Sequence, residues 1–150
     1  MNKTIARCVM IVAVGLWIAI AIFSPHLLGD SNTFLKGFVN QEFIGLLGVV
    51  VTITLASAAN LHLELNKLEE KVNKAIFRNT RTSVRLSAYT MIWTMFFGLV
   101  LVVIKPLICG GDNESVSALI NGGALLIVLS NIIILADLTQ AIFKIEPSFK

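Results

Sequence analysis

Charge is scarce in this 150-residue chain: Asp, Glu, Lys and Arg make up 14% of it, against about a quarter in an ordinary soluble domain. There are three prolines, two cysteines, two histidines and one tyrosine. So few of these residues exclude a disulfide framework and a cysteine or histidine metal centre. The scarcity of charge excludes a disordered tail and a solvated enzyme core. What the chain has instead is 56% hydrophobic residues and a mean hydropathy of +0.84.

The apolar residues fall in four long runs. A helix crossing the hydrocarbon core needs roughly 20 mostly apolar residues. Cys8 to Leu28 and Phe43 to Leu61 contain no formal charge, Leu86 to Ile104 is bracketed by Arg85 and Lys105, and Val116 to Ala136 carries Asn131 toward one end. No run of about ten residues alternates apolar with polar, as a membrane β-strand would. The expected fold class is an all-α polytopic membrane protein, a single domain with four transmembrane helices.

Ten of the twelve Lys and Arg lie before the first run, between the second and third, or after the fourth; only Lys36 and Lys105 lie on the other side. Short loops rich in positive charge stay in the cytoplasm, which predicts both termini and the central loop inside and the other two loops outside, in a cell inner membrane. Lys3 and Arg7 ahead of an apolar run with Ala19-Ile20-Ala21 also fit a cleaved signal peptide, but the run continues to Leu28, which favours an uncleaved span. Cys8 and Cys109 then face opposite sides and cannot pair within one subunit.

From Leu61 the apolar spacing becomes a heptad seam of Leu61, Leu65, Leu68, Val72 and Ala75 or Ile76, with Glu, Lys and Asn between. No Gly or Pro falls between Gly48 and Gly98. The second span is therefore expected to run on as a cytoplasmic helix to about residue 78. Its seam must be buried, against residues 78–85, against the same helix of a neighbouring copy, or against a cytosolic partner protein. Arg78, Arg81 and Arg85 recur at helical spacing near the membrane surface, where each is worth about 1 kcal/mol toward anionic lipid. No aromatic residues are interleaved among them for base stacking, so nucleic-acid binding is not expected.

No ionisable residue lies at mid-depth in any span, which argues against transport or catalysis inside the bilayer. The same absence argues against a proton-coupled exporter of the small multidrug type, which relies on a Glu in its first helix. The polar residues expected to be buried are Thr52, Thr54, Ser57, Ser130 and Asn131, which bond between helices, unless Thr52, Thr54, Ser130 and Asn131 line a pore in an oligomer. On the outer side, Asp30-Ser31-Asn32-Thr33 supplies capping residues for a short interfacial helix over 31–42. A turn at Gly110-Gly111-Asp112-Asn113 leads to the fourth span, and residues 137–150 form a cytoplasmic tail.

The segment Ala59-Asn60-Leu61-His62-Leu63-Glu64 loosely resembles the second-helix pattern of membrane glutathione transferases. The basic residue that family carries ahead of it is absent, since Thr52 to Ala58 has no charge. The layout as a whole, with the basic loop from Lys67 to Arg85 after the second span, resembles small four-span phage-defence proteins, the membrane subunit of the Kiwa system and the exclusion membrane protein of lambda-type phages. That resemblance implies a sensor that recruits a cytosolic effector, or a pore that depolarises the cell. The expected function is a non-enzymatic, membrane-embedded scaffold or sensor without cofactors, homo-oligomeric with a tetramer as the best count, that engages a cytosolic partner through residues 61–85. The rival is a homo-oligomeric ion-conducting pore.

Overall fold

The computed structural model describes residues 3–72, 78–109 and 113–145, without the side chains of residues 3, 71, 72 and 141–145. Val72's side chain and Ile76 of the seam, and the expected turn at 110–112, therefore lie outside the described residues. All regular structure among them is helical: α1 Lys3–Phe23, α2 Pro25–Leu28, α3 Thr33–Gly37, α4 Phe43–Val72, α5 Arg78–Ile108 and α6 Glu114–Ile145. Among the described residues, four helices are long and apolar enough to cross a membrane.

The helix breaks have local causes. The first apolar run does not continue as one helix to Leu28. Pro25 disfavours helical backbone at the residue before it; Ser24 sits at φ −147°, ψ 61°, and α1 stops at Phe23. The expected interfacial helix is likewise shorter than 31–42. Asn32 caps α3 by accepting hydrogen bonds from the Phe34 and Leu35 amides at 3.1 and 3.3 Å. The next turn, Phe38–Glu42, is bent where Val39 and Asn40 leave helical geometry, and this redirects the chain into α4.

α4, at 30 residues, is about 45 Å long at about 1.5 Å per residue, some 15 Å more than a bilayer's hydrocarbon core. Its charged end, from Glu64 onward, follows the apolar run and pairs with the start of α5. α4, α5 and α6 pack against one another, and α1 lies mainly on α6.

Two apolar clusters hold the bundle. At the basic end, Ala58, Leu61 and Leu65 of α4 meet Val84 of α5 and Leu138 of α6. At the opposite end, Val39, Phe43 and Leu47 meet Ala124, with Leu101 and Ile127 against them. Close helix approach depends on two glycines. A Cβ on Gly98 would sit 2.6 Å from Leu47 Cδ1, and one on Gly122 would occupy the space of the Trp17 indole. Much of the remaining apolar surface faces outward, including Ile11, Val12, Leu16 and Ile22 of α1 and Trp93, Phe96 and Phe97 of α5. Helices apolar on their outer as well as inner faces suit lipid, not water.

Candidate functional site

The α4–α5 hairpin at the basic end carries most of the expected site residues. Leu61 and Leu65 are buried, Leu65 completely, and they face Val84 and Leu138 of the same chain; Leu68 is half-buried. The first half of the seam is thus covered within one copy, partly by the 78–85 segment that the spacing offered as one of its partners. An ion pair between Arg81 and Glu69 ties the two helices together beyond the apolar cluster.

The arginine trio is consequently not one uniform basic surface. Arg81 is half-buried in its pair with Glu69, whereas Arg78 and Arg85 are exposed. The Arg85 guanidinium lies 6.0 Å from the Tyr89 ring centroid and has no carboxylate partner among the described residues. The outward face of the projecting α4 segment presents Glu64, Lys67 and Glu70, with Lys67 paired to Glu64 at 2.9 Å. Below it, between α4 and α5, runs an open groove of about 460 Å³ lined mainly by small and apolar side chains.

The four candidate pore residues are dispersed. Thr52 is exposed and donates to the Gly48 carbonyl at 2.7 Å, while Thr54 is buried and donates to the Val50 carbonyl at 2.7 Å. Ser130 is half-buried. Asn131 is buried and donates to the Ile127 carbonyl at 2.8 Å, and its Oδ1 lies 3.2 Å from the Thr94 hydroxyl of α5. Asn131 therefore joins α5 to α6 inside one copy, and it does not share an open face with Thr52.

The opposite end holds a polar cluster that the sequence reading passes over. Lys105, on α5, is only 8% exposed, and its Nζ lies 3.0 Å from Asp30 Oδ1. Asn121, a fully buried α6 residue, donates through Nδ2 to the Leu28 carbonyl at 2.8 Å and to Asp30 Oδ1 at 3.1 Å. Glu114, at the start of α6, accepts hydrogen bonds from the amide and hydroxyl of Ser31. A polar cavity of about 320 Å³ adjoins these groups, and Lys36 and Ser117 also line it. The one available signal was Asn121, about one and a half turns inside the fourth apolar run, where an amide needs partners. Among the described residues no cluster of His, Cys, Asp and Glu has a metal site's composition.

Burial alone would raise the Asp30 carboxyl's pKa. The Asn121 amide and the Lys105 ammonium, with Lys36 farther off, outweigh it and hold the group below its ordinary 3.8. The cluster has the chemistry of a lock, joining the α2–α3 link to α5 and α6 through charge-assisted contacts. Comparison with known protein families, characterised proteins and solved structures finds no match to the chain.

Proposed function

We propose that this protein is a non-enzymatic, membrane-embedded scaffold or sensor subunit that engages a cytosolic protein through the α4–α5 hairpin. The observation that carries this reading is the hairpin itself: α4 outruns the apolar zone, and the Arg81–Glu69 pair and the Leu61, Leu65, Val84 and Leu138 cluster brace it against the bundle. A braced projection presents its outer face with little ordering left to lose on binding. With Leu61 and Leu65 occupied inside the chain, the partner surface moves to the charged face of Glu64, Lys67, Glu70 and Arg78, a refinement of the seam-based expectation.

The same proposal includes the cytoplasmic side for the hairpin and both termini, homo-oligomeric assembly in the inner membrane, and a part in phage defence. The distribution of basic residues supports the first, and the topological resemblance supports the last. No specific observation favours the pore, because Thr54 and Asn131 are bonded within the bundle.

A photo-crosslinker placed at Lys67 in cells tests this, with the same probe at Ile53 in the apolar zone as control. One discrete cytosolic species captured at Lys67, absent at Ile53 and lost on Glu70→Lys, is the expected result. No capture, together with planar-bilayer conductance abolished by Asn131→Leu, would transfer the assignment to the pore.

A further inference from the structure

We infer that the α4–α5 groove at the basic end is a binding site for one anionic glycerophospholipid, with an acyl chain along the groove and the headgroup phosphate at Arg85. The inference rests on the placement of the helices in a bilayer and is independent of any protein partner.

The groove's position selects the ligand. Its walls are Ala58, Ala59 and Leu63 of α4 and Val84 of α5, and its volume is about 460 Å³. The alanines make it: larger side chains at these positions would fill the space between the helices. Along α4 it ends where the apolar run gives way to Glu64, and along α5 it starts at the turn before the apolar run begins. It therefore lies where acyl chains meet headgroups.

Its polar residues select the headgroup. Arg85 and His62 are the hydrogen-bonding side chains in the lining, and no carboxylate lines it. Arg85 is exposed and without an ion pair among the described residues, whereas Arg81, one turn earlier, is committed to Glu69. The guanidinium presents several donors in one plane, which matches a phosphate diester better than an ammonium would. Tyr89, exposed beside Arg85, lies at the level where aromatic rings favour the interface. An apolar cleft topped by one guanidinium without an ion pair is complementary to a lipid with a net negative headgroup; a zwitterionic lipid offers the same phosphate but adds a choline cation that the guanidinium repels.

Native mass spectrometry of the delipidated full chain in neutral detergent tests the site, titrating dioleoyl phosphatidylglycerol against dioleoyl phosphatidylcholine. One phosphatidylglycerol per chain should be retained about fivefold more tightly, the equivalent of about 1 kcal/mol from one basic residue. Arg85→Gln should abolish the preference, Arg85→Lys should keep most of it, and Ala59→Phe, which fills the groove, should weaken both lipids. Arg7→Gln, which removes an exposed basic residue of α1 outside the groove, should change nothing. Equal retention of the two lipids by the unmodified chain, a preference that survives Arg85→Gln, or binding indifferent to Ala59→Phe would each overturn the assignment. Because no other protein is present, failure here leaves the hairpin's partner unaffected, and failure to capture a partner leaves the lipid site standing.

Discussion

A buried ammonium costs several kcal/mol unless a carboxylate meets it, and Asp30 meets Lys105 at 3.0 Å. Removing the cation leaves Asp30 with the Asn121 amide and the more distant Lys36, so Lys105→Met should lower stability by about 1–3 kcal/mol, read as detergent-solubilised thermal or SDS unfolding. The paired change Asp30→Asn with Lys105→Met should recover part of that loss, because no lone charge then remains buried. The same pair sets a pH dependence. The folded Asp30 carboxyl has a lowered pKa, so it binds its proton more weakly than the unfolded one. Its stabilisation is complete above its ordinary value of 3.8 and is lost as the pH falls through the lowered folded value. Melting temperatures between pH 7 and pH 3 should fall at the acid end, and Asp30→Asn should flatten that fall.

Among the helices, the tightest dependence is that of α1 on α6. α1 has little other support, and Gly122 leaves the space that the Trp17 indole fills. An indole cannot swing aside as a flexible chain end would, so Gly122→Leu should cost at least the 1–3 kcal/mol typical of overpacking. The loss should be confined to α1, visible as proteolytic or hydrogen-exchange exposure of Lys3–Phe23 before the rest unfolds. On α4, the two leucines Leu65 and Leu63 separate inside from outside. Leu65 is fully buried and Leu63 is 56% exposed. Leu65→Ala should cost about 2–5 kcal/mol and Leu63→Ala well under 1, a contrast that unfolding of the two variants checks directly. Were the seam instead covered by a neighbouring copy, Leu65→Ala would dissociate an oligomer before it melted the chain.

For the molecule as a whole, the two thiols are natural reporters of orientation. Cys8 lies two turns into α1 and is exposed, and Cys109 is half-buried just past the end of α5, at the opposite end of the bundle. With the basic loops inside, a membrane-impermeant maleimide added to intact spheroplasts should label Cys109 and spare Cys8. Lys67→Cys should label only after permeabilisation. Labelling of Lys67→Cys from outside would invert the topology and place the hairpin away from any cytosolic partner.

Four apolar runs, their helical state and the continuation of α4 to Val72 were legible in the sequence, because each follows from local quantities. Run length against bilayer thickness selects a spanning helix, and the absence of Gly or Pro from 49 to 97 keeps α4 and most of α5 unbroken. Asn32's capping role was equally local. The face of the seam was legible too, but its partner was not, since a heptad states that Leu61 and Leu65 must be covered and says nothing of which helix covers them. The Lys105–Asp30–Asn121 cluster joins residues up to 91 positions apart, and Arg81 is separated from Arg85 in role by a glutamate twelve residues upstream. Only the packing of α4, α5 and α6 brings these groups within contact distance. Periodicity and hydropathy act along one helix at a time, while ion pairs, shared amides and the fit of Trp17 over Gly122 depend on which helices become neighbours.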